Sequence, residues 1–484
     1  VTAFGLYPEG IKDTPKFRRA VDKARAHGKP LAVVKSGRTA AASRTARSHT
    51  GALSGSDAVF DAYCAQAGIA RCETLSTLCE TLKIFHNGGP LAGRRVVVMG
   101  ASGGDMAMTA DLSRDLGLEF PPFTPEATTR MSAIVGERVT VANPFDMHTY
   151  LWFQHAALRQ LFEEVFDSDV DAVGLTLDCP PAASADDSAY TAVIEQFAAA
   201  SRDARPRAVF ISSLPETTGR TVRQLCLQGG VIPLQGQREA LEALHLAGAV
   251  GDAWRDGVSP LLSIPQPLRG VVVTIGEHAG KVALAAFGMQ APRSQTVPCA
   301  QAGAAAAAIG FPVVIKATGA GLEHKTELGG VVLGVRTMEQ AAAAGTQLAA
   351  LSGEVLVEQM IDDGIAEILV GVTVDDQFGQ VLLIGSGGVQ AEVWKDTVSL
   401  LPPWSRESVA VALRRLNVAA LLDGHRGKPP GDVEALIDVI LAIGRYATAN
   451  RDTLAELDVN PIIVRSRGAG AIAVDVLIRK VGES

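Results

Sequence analysis

The stretch that most limits the possible fold runs from Arg95 to Asp105. The run Arg95 to Met99, apolar from Val96 on, leads straight into Gly100-Ala101-Ser102-Gly103-Gly104-Asp105 and then into a helical pattern through Leu116. A strand that is apolar on both faces must be covered on both faces, which is the situation of a parallel sheet flanked by helices. Further strand candidates at Ala172 to Leu177, Ala208 to Ser212 and Gly230 to Ile232, with helices between them, continue the pattern. Residues 89–257 are therefore expected to form a doubly wound α/β domain. Composition agrees: 47% of residues are hydrophobic but only 5% aromatic, which suits sheets under closely packed helices. A strand, glycine turn and helix in succession also present free amides and the positive end of a helix dipole above the strand ends. Ser102, Gly103 and Gly104 are accordingly candidate phosphate-binding residues. The turn lacks both G-x-G-x-x-G and a P-loop lysine, so tight packing would explain it equally well.

Residues 1–88 read as strand (Thr2 to Leu6), helix (Asp13 to His27), strand (Leu31 to Lys35), loop, and helix (Ser56 to Ala67). The loop holds Arg44-Thr45-Ala46-Arg47-Ser48-His49-Thr50-Gly51-Ala52-Leu53-Ser54-Gly55, a single imidazole among small and hydroxylated residues after two arginines. A histidine that accepts a phosphoryl group needs a neutral ring, backbone able to approach the phosphate, and cations or amides to hold it. With a reference pKa of about 6.5, the ring is mostly neutral in a cytosol. The same residues also fit an ordinary helix start, capped by Ser48 or Thr50, with His49 a solvated loop residue.

Prolines at Pro260, Pro265 and Pro267 mark a linker, and the third region begins near residue 258. A helix is expected over Gly276 to Phe287 and another over the alanine-rich Gln301 to Ala308. The strand Phe311 to Lys316 ends on a lysine and is followed by Ala317-Thr318-Gly319-Ala320-Gly321, a loop flexible enough to fold over phosphates. A lone strand-end lysine is also common on surfaces. Near the end of the chain, Leu457-Asp458-Val459-Asn460-Pro461 and Ile472-Ala473-Val474-Asp475 carry hard oxygen donors of the kind magnesium takes, although an Asn-Pro turn between two strands accounts for Asn460 without function.

These segments, in this order, resemble the NDP-forming acyl-CoA synthetases, relatives of succinyl-CoA synthetase that include ADP-forming acetate–CoA ligases. The likeness starts at Lys29-Pro30-Leu31-Ala32-Val33-Val34-Lys35-Ser36-Gly37-Arg38 with Ser48-His49-Thr50-Gly51-Ala52-Leu53 and continues to the last residues. It implies an α/β fold of flavodoxin-like, succinyl-CoA synthetase-like domains (1–88 in part, 89–257) followed by an ATP-grasp domain (258–484). It also implies a CoA-binding domain ahead of the first. None is visible here, and Val1 opens at once into a strand-like run, as expected of the remainder of a longer chain.

The resemblance assigns roles residue by residue. His49 carries the phosphoryl group, and Glu9, in Tyr7-Pro8-Glu9-Gly10, hydrogen-bonds its ring. His324, in His324-Lys325-Thr326-Glu327-Leu328-Gly329-Gly330-Val331, relays the group to ADP. Asp458 stands where relatives keep a glutamate beside the visiting phosphohistidine, so its reach is shorter. ATP is met by Lys316, Gly319 and Gly321, by the strand and hinge Val355-Leu356-Val357-Glu358-Gln359-Met360, and by Glu367. Asn460 and Asp475 hold Mg2+. Ala142-Asn143-Pro144-Phe145-Asp146 matches an N-P-x-D loop, and Gly385-Ser386-Gly387-Gly388-Val389 with Glu392 a further glycine loop and acid. The implied reaction takes a carboxylate, CoA and ATP to acyl-CoA, ADP and phosphate. Acetate or another short acid is the expected substrate, with an aromatic, feruloyl-type acid the alternative within the family. Outside enzymes, the alternative is a nucleotide- or CoA-sensing module such as the synthetase-like half of a protein acetyltransferase.

The remaining bounds are negative ones. Net charge is −8 and basic residues form no run, so nucleic acid is not expected as a partner. Six cysteines without a C-x-x-C pair read as reduced core residues of a cytoplasmic protein. No apolar run approaches the roughly 18 residues that would span a membrane. A homo-oligomer is expected. The choice of acid, ATP against GTP, and the physiological direction have no marker in the sequence.

Overall fold

The computed structural model describes residues 1–36, 56–180, 186–260, 262, 270–319, 328–387, 396–424, 427 and 429–482. His49, Gly321, His324 and Glu392 lie outside the described residues. The chain divides into two compact units, the first mostly residues 1–259 and the second mostly 260–484.

In the first unit, β1 (Phe4–Leu6), β2 (Leu31–Val33) and β3 (Ala70–Arg71) make a parallel three-stranded sheet. The larger sheet comprises β4 (Val96–Gly100), β5 (Phe145–Asp146), β6 (Ala172–Thr176), β7 (Arg207–Ser212) and β8 (Ile232–Gln235), all parallel in the order β5-β4-β6-β7-β8. That order reverses direction at β4, the flavodoxin-like arrangement whose ligand crevice lies above the carboxyl ends of β4 and β6. All five residues of β4 and of β6 are buried, as the unbroken apolar runs predict. One face packs on Leu158, Phe162, Phe197 and their neighbours. The opposite face shares a core with the small sheet: Ala32, Val34 and Ala70 lie in one cluster with Val96, Val98, Ile232, Leu241 and Leu244. The last strand begins later than the sequence indicates. Gly230 adopts a φ of +77°, a left-handed turn that delays the extended backbone until Ile232.

In the second unit, β10 (Ser294–Pro298), β11 (Val313–Ala317), β12 (Val331–Val335) and β13 (Glu354–Gln359) form an antiparallel sheet in the order β10-β13-β11-β12. A seven-stranded antiparallel sheet contains β9 (Val272–Ile275), β14 (Ala366–Asp375), β15 (Gly379–Ser386), β16 (Thr397–Leu400), β17 (Leu454–Val464), β18 (Ala471–Ala473) and β19 (Leu477–Val481). Leu436, Ile440, Ile443 and Ala447 recur at helical spacing along Val433–Ala449 and pack against Ile368, Val370, Val459 and Ile462 of this sheet. Each leucine or isoleucine among them contributes about 1.5–3 kcal/mol on burial. The alanine-rich segment is a helix, Ala302–Ile309, whose small side chains let it lie close against Ala341 and Ala344.

Five of the six cysteines are buried and all six are free thiols. Cys79 departs from the core role expected for it because it sits on the solvent face of the helix Leu75–His86. No helix among the described residues is long and apolar enough to cross a membrane.

Candidate active site

The second unit holds a dense ionic cluster. Lys316 lies on β11, and its Nζ donates to Glu277 Oε1 and to the carbonyl of Val474, both at 2.6 Å, and approaches Glu358 Oε2 at 3.1 Å. Lys281 repeats the pattern. Its Nζ donates to the same Glu277 Oε1 at 2.8 Å, to Glu358 Oε1 at 2.5 Å and to the same Val474 carbonyl at 2.8 Å. Side-chain exposure is 3% for Lys281 and Glu277, 2% for Glu358 and 8% for Lys316, so Lys316 is the member nearest solvent. Four buried charges persist only because each is paired. Burial alone would pull the Lys316 ammonium down, but Glu277, Glu358 and Asp475 outweigh it and hold the group charged, above the ordinary lysine range.

Both lysines grip the residue just before Asp475, whose own carboxylate accepts the Val476 N–H at 2.9 Å. Asp475 also raises Asp458: burial first, then Asp475 and Glu456, push that carboxyl up to about 6. Asn460 stands two residues on, and its Oδ1 is buried with no hydrogen-bond partner. A buried amide oxygen without a donor is costly, and a cation would satisfy it. Asn460 Oδ1 and the Asp475 carboxylate are hard oxygens of the kind magnesium prefers. Among the described residues no group of three His, Cys, Asp or Glu could hold a metal by itself.

The other described residues expected at the nucleotide lie in the second unit. Gly319 lines a cavity of about 440 Å³ with Glu277, His278, Thr318 and Ser352. The Glu358 side chain is committed to the two lysines, and the Met360 amide donates to the Pro312 carbonyl at 3.0 Å. Glu367 is exposed on β14 and pairs with Ile463, while Gly371 pairs with Asp458. Alternation along the two strands places Glu367 and Asp458 on the face away from the core. Glu367 lines a second hollow of about 450 Å³ with Gly387.

In the first unit, Ser102 caps the helix Gly103–Ser113, its Oγ accepting the Asp105 N–H at 3.3 Å. Ser102, Gly103 and Gly104 are exposed at the carboxyl end of β4. A Cβ at Gly104 would meet only Ser102 Oγ at 3.6 Å, so a ligand can reach these amides. The N-P-x-D loop lies beside these residues. Asn143 accepts from the Val98 N–H and donates to the carbonyls of Val96 and Pro121, pinning the loop to β4. Asp146 comes within 3.1 Å of the position a Gly103 Cβ would occupy. Burial, then Asp178 and Asp146, raise the Asp105 carboxyl. Glu9 is exposed in the turn after β1, beside the Ser36 N–H to Pro8 carbonyl bond that leads into residues 37–55.

Sequence reasoning missed Glu277 and Lys281. A signal existed: on the helix Glu277–Ala285 they fall in phase with Gly280 and Leu284, so both charges ride the buried stripe.

Comparison with known proteins agrees with this layout. A model of the succinyl-CoA ligase like flavodoxin domain matches residues 1–85, and one of the ATP-grasp domain matches residues 270–479. A trans-feruloyl-CoA synthase from an unknown prokaryotic organism is 30% identical over 516 residues, covering 98% of this chain and 68% of its own. The ADP-forming acetate–CoA ligase I of Archaeoglobus fulgidus is 28% identical over 488 residues, covering 96% and 68%. The ADP-forming 4-hydroxybutyrate–CoA ligase of Nitrosopumilus maritimus is 24% identical over 498 residues, covering 98% and 70%. Flavodoxin-like and ATP-grasp domains in this order, with relatives aligned along nearly its whole length, make the chain a member of the ADP-forming acyl-CoA synthetase family of acid–thiol ligases.

Proposed function

We propose that the protein joins a carboxylate to coenzyme A while ATP is converted to ADP and phosphate, through an acyl phosphate and a phosphorylated His49. The observation that carries the nucleotide half is Lys316, held charged at a strand end beside Val474 and Asp475. Such an ammonium is a point-charge contact for a nucleotide phosphate. Asn460 and Asp475 would hold Mg2+, which when bound neutralises phosphate charge. Ser102, Gly103 and Gly104 receive the phosphoryl group at the other station through their amides and the helix dipole. Glu9 fixes the tautomer of His49 and raises the nucleophilicity of its far nitrogen. Asp458 faces the arriving phosphohistidine, and His324 relays the group to ADP. Gly319 and Gly321 fold over the phosphates, with Glu358, Met360 and Glu367 around the nucleotide.

The acid is acetate or another short carboxylate. An aromatic acid is the second reading, supported by the 30% identity to a trans-feruloyl-CoA synthase. The working form is a cytoplasmic homo-oligomer, to be checked by light scattering. A panel of acetate, 4-hydroxybutyrate and ferulate, each with CoA and Mg·ATP, decides the substrate by ADP release. Fastest turnover of acetate supports the first reading and of ferulate the second; no ADP with any acid, from protein supplied with a CoA-binding domain, sinks both.

A further inference from the structure

The buried cluster contains one lysine more than phosphate binding requires. Lys281 and Lys316 compete for the same Glu277 oxygen and the same Val474 carbonyl, and divide the two oxygens of Glu358 between them. In this arrangement Lys316 has its donors directed at protein acceptors. To meet a phosphate it must give up at least one of them, and two of the three are buried carboxylates. Without a second cation that departure would strand negative charge in the interior, the most unfavourable arrangement available to the cluster. Lys281 already touches every residue Lys316 would leave.

We infer that Lys281 is a positioning residue that takes over Glu277, Glu358 and the Val474 carbonyl when Lys316 turns toward the nucleotide, with Glu277 acting as the latch that holds Lys316 back. The inference rests on the reading of Lys316 as the phosphate-contacting lysine. It explains why a Glu and a Lys with no motif of their own sit on the buried stripe of the helix Glu277–Ala285. Because both lysines hold the carbonyl preceding Asp475, the exchange also keeps that residue in place while Lys316 moves.

The test is binding of ADP, with magnesium, to the full chain by calorimetry, with circular dichroism as the check on folding. Lys281→Met should weaken ADP by about tenfold or more, since Lys316 becomes the sole counter-ion of two buried glutamates. Glu277→Gln should do the opposite and raise affinity, since one acceptor loses its charge and Lys281 still balances Glu358. A salt bridge that merely braced the fold would weaken binding in both variants. Loss in both, or no change in Lys281→Met while Lys316→Met loses ADP, overturns the inference. If Lys281→Met does not fold, Glu277→Gln decides alone: tighter binding supports the latch, and unchanged or weaker binding refutes it. Lys316→Met is the separate control, and wild-type affinity there would remove the nucleotide reading on which the inference stands.

Discussion

The ammonium of Lys316 lies 2.6 Å from the carbonyl oxygen of Val474, so a strand-end lysine on β11 is bonded to the backbone immediately before Asp475. Two residues 158 positions apart in sequence are thereby held together. A change at either should be felt at the other.

Asn460→Ala and Asp475→Asn should each abolish phosphoenzyme formation from Mg·ATP and leave the fold intact. They remove oxygen donors rather than core volume, and the loss should exceed the roughly 100-fold that disturbing an outer-shell partner can cost. Labelling with γ-phosphate-labelled ATP measures it. Normal labelling in both variants would dismiss the proposed metal site.

The two motif histidines should divide the labour. Phosphoryl transfer needs reacting atoms about 3 Å apart, and two carriers give two distinguishable defects. His324→Asn should block labelling from ATP yet let the preferred acyl phosphate label His49. His49→Asn should be labelled by ATP at His324 and not by acyl phosphate. If ATP still labels His49 in the His324→Asn protein, a single mobile histidine is the better account.

Gly387 is required by contact. A Cβ there would come within 2.9 Å of backbone atoms of Glu367 and Ile368, and its N–H donates to the Glu367 carbonyl at 2.8 Å. Gly387→Ala should destabilise the second unit by about 1–3 kcal/mol through forced displacement of β14. A lowered melting temperature would be the sign, accompanied by weaker ATP labelling if Glu367 moves with the strand.

His245 provides a pH dependence. Burial, then the charge of Arg94, lowers its pKa to about 4, and its Nδ1 accepts the Gly117 N–H at 3.2 Å, an arrangement that requires the neutral ring. The unfolded chain binds this proton near its ordinary value of about 6.5, so between there and about 4 the unfolded state holds the extra proton. Stability of the first unit should therefore fall as pH drops through that window, with a slope approaching 1.4 kcal/mol per pH unit from this group, about the value for one proton. His245→Gln should flatten that part of a denaturation-against-pH curve; an unchanged slope would contradict the assignment.

What the sequence disclosed followed from period and order. The continuous apolar runs of β4 and β6 read as strands covered on both faces, and both strands are buried throughout. Lys316, Asn460 and Asp475 were singled out by their order along the chain. The structure adds that Asp475 acts electrostatically on Lys316. Glu277 and Lys281 were overlooked because a Glu and a Lys four apart look like any solvated helical pair. Only tertiary packing takes them out of water. Asn143 was recognised as part of a motif, yet its three backbone bonds to β4 and Pro121 depend on a strand register that local pattern does not encode.

The small sheet of the first unit has strands of only three, three and two residues. So few ladder bonds, with one face set into the core of the larger sheet, leave no separate cooperative transition for it. The sheet leading into the His49 segment and the helix capped by Ser102 should consequently melt as one body, giving a single endotherm rather than two.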